Sequence, residues 1–310
     1  MRLKVLIIST NAIGDTYLSL SAVTYLNLLE KNISVDILTT ANSLFLLNFQ
    51  QINKVILEKR TLFSVFKTLL IIRKQKYDYT FSFFPGVINS IFLLFAKSYN
   101  KGGYINLFKR NEWFDKNQRG FIGCKNRIKI INWSKDSNFV FRIKNIIDPL
   151  FNSNQSLLKY SFPEIQDYKG GDFIVLHPFS MRKFKSLSKI QVLSIIRYLN
   201  KNFPYPIFVI GDNKINAIEN ESISIVLYPE IEQLVKLINC KLFISVDSFP
   251  IHLADAYNTK FIGLFSATKI GSVLINTNKG IQFDSFELQS ITSEVLLKLI
   301  SEKIYQLNYF

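Results

Sequence analysis

Leu3-Lys4-Val5-Leu6-Ile7-Ile8-Ser9 runs through Asn11-Ala12-Ile13-Gly14-Asp15 into the apolar-rich stretch Thr16–Lys31. A short β-branched run, a polar turn with one glycine and a helix-length segment read as strand, turn and helix of a parallel α/β unit. The pattern then repeats. Ser34–Thr39, Lys54–Leu57 and Tyr77–Phe83 read as strands, and Asn42–Gln50, Leu62–Lys76 and Val87–Ala96 as helices. Lys97–Asp148 departs from this rhythm and is expected to end a first domain with strands and loops.

A change of composition follows. Asn152-Ser153-Asn154-Gln155-Ser156, Pro163 and Lys169-Gly170-Gly171 read as an inter-domain connection. Beyond it the alternation restarts, with strands at Phe173–Leu176, Ile207–Ile210, Ile223–Leu227, Leu242–Val246 and Lys260–Phe265. Helices are expected at Ser188–Asn202, Ile231–Asn239 and Pro250–Tyr257, and one long helix at Leu288–Gln306. Two Rossmann-like α/β domains with parallel sheets are therefore expected, 1–160 and 161–310.

The chain has 310 residues, 48% hydrophobic and 14% aromatic, which suits packed domains and excludes a disordered chain. Cys124 and Cys240 are its only cysteines, too few for a disulfide framework or a zinc site. The opening apolar run gives way to Asn11, Gly14 and Asp15 where a signal peptide needs an apolar core and a cleavage site. Leu69–Ile72 and Val87–Ala96 fall well short of the roughly 20 residues that span a bilayer. A soluble cytoplasmic chain is expected. Its net charge of +15 is uneven: twelve Lys and Arg stand between Lys97 and Lys144 against Glu112, Asp115 and Asp136. Such a stretch implies an anionic partner, whether nucleic acid, a phosphorylated glycolipid or an acidic membrane face.

Ligands of open parallel sheets bind at the carboxyl ends of the strands, and three segments put unusual residues there. Asn11–Thr16 lacks the glycines of a dinucleotide fingerprint, which disfavours a nicotinamide dehydrogenase. Gly14 instead permits a tight turn that delivers Asp15, either as a plain first-turn helix residue or as a carboxylate at the mouth of the sheet. His177-Pro178-Phe179-Ser180-Met181-Arg182-Lys183-Phe184-Lys185-Ser186 offers hydroxyls and cations at a helix approach, a phosphate site or a solvated basic loop. His177 itself reads as a strand-end packing residue. Asp247-Ser248-Phe249-Pro250-Ile251-His252 reads as an anion site at a helix start, or as a cap with a buried histidine. No D-x-D, G-x-x-x-x-G-K-[ST] or G-x-S-x-G motif occurs, and the two histidines are far apart with no cysteine near either.

Taken in order, these segments resemble glycosyltransferase family 9, the bacterial ADP-heptose:lipopolysaccharide heptosyltransferases. Ile13-Gly14-Asp15 with Leu18 and Leu20 is similar to the family's I-G-D motif. Leu176-His177-Pro178 with Ser180 and Lys185 is similar to H-P-G-x-S…K-x-W-P. Asp247–Ala254 is similar to D-S-G-P-x-H-L-A, and Phe261–Thr268 to V-x-L-F-G-x-T. The resemblance spans roughly residues 3–270. Phe179 and Phe249 stand where the family has glycine, Leu187-Ser188 where it has Trp-Pro, and Gly211-Asp212 is all that remains of G-G-x-x-E.

The resemblance implies a GT-B fold, with the acceptor on the first domain, the nucleotide sugar on the second, and the last helix (about 288–306) packing back towards the first domain. It implies inverting, metal-independent transfer without a cofactor, of heptose from ADP-heptose to a lipopolysaccharide core or related glycan. Asp15 would be the general base and Gly14 its supporting turn. Ser180, Lys185, Asp247, Ser248, Phe249 and His252 would form the diphosphate site. The basic stretch, with Lys109, Arg110, Arg119 and Arg127, would face a phosphorylated acceptor at the inner membrane, with Tyr104, Phe108, Trp113 and Phe114 in the interface. No nucleic-acid partner is expected on that reading. A transferase of the same family with another nucleotide sugar, and a degenerate glycan- or nucleic-acid-binding chain, remain the alternatives.

Overall fold

The computed structural model describes residues 2–47, 52–105, 119–124, 127–132, 138–153, 170–211, 223–227 and 229–310. The chain divides into two compact units, Met1–Pro163 and Glu164–Phe310.

In the first unit, strand β1 (Leu3–Ser9) leads into α1 (Ile13–Leu29), then β2 (Ile33–Thr40), a 3-10 segment (Ala41–Leu47) and β3 (Asn53–Leu57). Helix α2 (Leu62–Lys74), β4 (Tyr77–Ser82), α3 (Val87–Phe95) and β5 (Ser98–Ile105) follow. Then come β6 (Arg119–Cys124), β7 (Arg127–Asn132) and α4 (Phe139–Phe151). Among the described residues the sheet order is β3-β2-β1-β4-β5-β6-β7. The first five strands run parallel, and β6 and β7 add an antiparallel edge. Val5, Leu6, Ile7 and Ile8 are all buried because β1 is central and covered on both faces. One face packs Leu6, Ile8 and Leu38 against Val65, Ile72, Phe92 and Leu93 of α2 and α3. On α1 and α4, Tyr25 donates to Asp148, and the Lys144 ammonium lies 3.3 Å from the same carboxylate.

The second unit runs β8 (Gly171–His177), α5 (Lys189–Asn202), β9 (Ile207–Gly211), β10 (Ile223–Leu227), α6 (Ile231–Ile238) and β11 (Cys240–Val246). It continues through α7 (Phe249–Ala256), β12 (Phe261–Phe265), the single turn α8 (Ile270–Val273), β13 (Gly280–Gln282) and α9 (Ser293–Gln306). Its sheet, β10-β9-β8-β11-β12-β13, is parallel throughout the described residues. Leu296, Ile300 and Ile304 of α9 are buried in this unit's own core with Val192, Ile195 and Leu199 of α5.

Four expectations are corrected. Helix α1 begins at Ile13, so Gly14 lies inside its first turn, and no described glycine has a positive φ. A 3-10 segment replaces the start of the expected Asn42–Gln50 helix, and Gln50 itself lies outside the described residues. The stretch expected to hold only strands and loops contains α4, opened by Asn138, whose side chain accepts from Val140 N, and buried through Phe139, Ile143, Ile146 and Ile147. The final helix is divided: Leu288–Ser290 is 3-10, Ile291 is extended, and the Thr292 hydroxyl accepts from Val295 N to start α9 afresh.

Candidate functional site

In both sheets the chain order reverses beside the unit's first strand, between β1 and β4 and between β8 and β11. Crevices at the carboxyl ends of such strands are where open α/β sheets bind ligands.

In the first unit the loop after β1 is tied to the loop after β4. Thr10 donates from its backbone N and its hydroxyl to Asn89 Oδ1, at 3.0 and 2.6 Å. Asn11 donates to Pro85 O at 3.1 Å, and a Cβ on Gly86 would lie 2.4 Å from Asn11 Oδ1, so glycine there leaves room for that contact. Asp15 sits in the first turn of α1, where the helix dipole favours a carboxylate. Two cations missed by the sequence reading serve this loop. Arg60, following β3, donates to the carbonyls of Thr10 and Asn11, the latter at 2.6 Å. Arg142 of α4 is buried, which pushes its pKa down to about 10, opposed by Tyr104 and by the charge of Asp15. The rule that drew attention to Asp15, a polar group in a strand-to-helix loop, also applies to Arg60. Arg142 is one of the twelve cations of the basic stretch, where nothing in the sequence sets it apart.

In the second unit the loops after β8 and β11 meet. The Lys185 ammonium pairs with Asp247, and Thr268 also hydrogen-bonds that carboxylate. Burial alone would raise the Asp247 pKa; Lys185 and the hydrogen bonds outweigh it and hold the carboxyl below its ordinary range. His252 Nε2 lies 4.0 Å from Asp247. Burial lowers the His252 pKa despite Asp247 and Asp255, so the ring is neutral at neutral pH and the contact is not an ion pair there. Its Nδ1 has no hydrogen-bond partner among the described residues. Ser248 starts α7 without a side-chain cap bond, its hydroxyl lying 3.1 Å from His177 Nδ1 instead. Ser245 Oγ lies at the same distance from that nitrogen. Burial holds His177 near 4, so it too is neutral. His177 is thus more than a packing residue: it joins the two loops.

Ser180 is held within its own loop, donating its N–H to Ser186 Oγ at 2.9 Å. The start of α5 is closed by a capping box of Ser188 and Gln191, so the helix approached by the His177–Ser186 loop spends its cap on itself. Helix α7, by contrast, starts without such a box. Phe179, replacing a family glycine, packs on the unit's core, and Phe249 is half-buried at the first position of α7. Among the described residues no group of three or more His, Cys, Asp or Glu is placed to hold a metal ion.

The basic stretch is only partly visible. Lys109, Arg110, Phe108, Trp113, Phe114 and Asp212 lie outside the described residues, and Arg119 and Arg127 open β6 and β7. Tyr104, expected at an interface, is buried instead, because it follows the two glycines of β5 into the core.

Residues 215–290 match glycosyltransferase family 9 (heptosyltransferase) in sequence. That stretch carries Asp247, Ser248, His252 and Thr268, and ends before α9. No curated protein matches the chain in sequence. Among solved structures, E. coli heptosyltransferase WaaC with ADP matches with a TM-score of 0.70 at 15% identity, over 97% of this chain and 100% of that one. The family 9 glycosyltransferase of Veillonella parvula DSM 2008 gives 0.73 at 10%, over 98% and 97%. E. coli ADP-heptose lps heptosyltransferase II gives 0.67 at 16%, over 99% and 100%.

The chain has the GT-B fold. Both Rossmann-like halves of the GT-B enzymes are present, and the family 9 match falls on the half that carries the Lys185–Asp247 pair. Among the described residues no helix is long and apolar enough to cross a membrane.

Proposed function

We propose that this protein is an inverting, metal-independent glycosyltransferase of the heptosyltransferase type, taking heptose from ADP-heptose to a lipopolysaccharide core or related surface glycan. The observation that carries the reading is the meeting of Lys185, Asp247 and the α7 start at the switch point of the family-matched unit. The ligands named for the similar structures, ADP and ADP-2-deoxy-2-fluoro heptose, supply the donor class.

An ammonium has three N–H donors. One is given to Asp247, which aims the group, and two remain for diphosphate oxygens. The amides opening α7 and the Ser180 hydroxyl complete the anion site. Asp247 and His252 order the loop, and Ser248, held by His177, keeps the start of α7 in place. In the first unit Asp15 takes the proton from an acceptor hydroxyl while that oxygen attacks the anomeric carbon. The bond to the diphosphate breaks with its electron pair leaving on the phosphate oxygen, and a single displacement inverts the centre. The charge of the basic stretch, with Lys109, Arg110, Arg119 and Arg127, suits a phosphorylated acceptor.

Two measurements test this. Thermal-shift binding of ADP, UDP, GDP and CMP without added metal should show selective stabilisation by ADP. Asp15→Asn should lower turnover by about 10²–10⁴ while the melting temperature and the ADP shift stay put. An Asp15→Asn protein with wild-type turnover would remove the base assignment, and a chain stabilised by none of the nucleotides would remove the donor site.

A further inference from the structure

We infer that the outer face of α2 docks on an anionic lipid bilayer, a surface distinct from both switch points and from the basic stretch after Lys97. Helix α2 reads LFSVFKTLLIIRK. Its inward stripe, Val65, Thr68 and Ile72, is buried against the sheet. The opposite stripe of a surface helix is ordinarily polar. Here it carries Phe63, Phe66 and Leu70 at helical spacing, with Leu62 at the helix start; Leu62 is 87% exposed, Phe63 79% and Phe66 61%. At the other end Arg73 donates to Phe95 O at 2.8 Å, which joins the exposed Leu94 and Phe95 of α3 to the same side.

The charges around this face select its partner. From Glu58 to Lys76 there are six cations (Lys59, Arg60, Lys67, Arg73, Lys74 and Lys76) against Glu58 alone. Glu58 lies 3.7 Å from Lys67, and both are exposed. Exposed aromatic and aliphatic side chains ringed by Lys and Arg are what an interfacial helix presents to acidic headgroups. A second copy of the chain would bring the same six cations face to face, on a molecule already at +15. Two residues before the helix, Arg60 holds the Thr10 and Asn11 carbonyls, so the apolar face begins beside the Asp15 loop. A bilayer there would present a lipid-linked acceptor to that loop.

Flotation of the full chain with vesicles tests this without reference to donor or turnover. Binding to phosphatidylethanolamine–phosphatidylglycerol vesicles is expected, falling with salt, with little binding to phosphatidylcholine alone. Phe63→Ser/Phe66→Ser should weaken it at least about tenfold, and Lys67→Gln/Lys74→Gln about fivefold for each charge removed. All of these positions are exposed, and an unchanged melting temperature and ADP shift would show that the variants fold. Failure of the wild type to float, or flotation of the double-serine variant like the wild type, overturns the inference. So does gel filtration showing a wild-type dimer that the serine variant converts to a monomer, since the face would then be covered by a second copy.

Discussion

Replacing Lys185 by Ala does two things at once. It removes the cation proposed for the diphosphate, and it leaves Asp247, 6% exposed, as a buried charge without its partner. The second effect should cost about 3 kcal/mol in urea unfolding, and Lys185→Ala/Asp247→Asn should recover most of it. The double variant is therefore the one in which loss of ADP binding reports on recognition rather than on folding. His177 gives a pH prediction. The folded ring holds near 4 against 6.5 for an ordinary histidine, so between those values the unfolded chain takes up a proton that the folded chain refuses. Stability should fall as the pH drops through that window, and His177→Asn should flatten the melting-temperature slope, leaving the part due to His252. The separate residues of this site were legible in the sequence because strand-to-helix loops are short and ordered. Their pairing was not: Lys185 and Asp247 are 62 positions apart, and only the β8–β11 adjacency brings them together. Arg142 escaped notice because a cation among cations reads as surface until α4 is seen to bury it.

At the scale of elements, α5 depends on its capping box. Ser188→Ala should cost about 1 kcal/mol, read as a lower midpoint in urea, without touching the start of α7. In the first unit β5 leaves little room for added side chains. A Cβ on Gly103 would lie 2.7 Å from Ser82 O, a backbone atom that cannot step aside, so Gly103→Ala should destabilise by about 1–3 kcal/mol. Gly102 is likewise filled by Ile146 of α4, 2.5 Å from where a Cβ would stand. Strands β1–β4 and β8–β12 were readable to within two residues, since buried parallel strands are continuous β-branched runs bounded by polar turns, whereas β5–β7 lay unassigned in Lys97–Asp148 and the three-residue β13 gave no signal. Helix α4 was hidden by its composition. Arg142, Lys144 and Pro149 interrupt an apolar spacing, Phe139, Ile143, Ile146 and Ile147, that is helical once Asn138 is recognised as its cap. The break before α9 was carried by one residue, Thr292, inside a stretch that otherwise reads as continuous helix.

At the scale of the molecule, the two units repeat one plan, and alternating composition made that plan readable without any sequence repeat. They differ in how their sheets are joined. Strands β6 and β7 of the first unit pair antiparallel across a two-residue connection, Cys124 facing Arg127. Every described pairing of the second unit is parallel, so each links strands separated by a crossover. Local hairpins form in about 1–10 μs, whereas parallel sheets wait on the closure of long loops. Hydrogen exchange pulsed during refolding should therefore protect the amides of β6 and β7 before those of the second unit's sheet. In that interval the half bearing Lys185 and Asp247 would still expose its unpaired strands, and there the chain is most open to aggregation and to capture by chaperones.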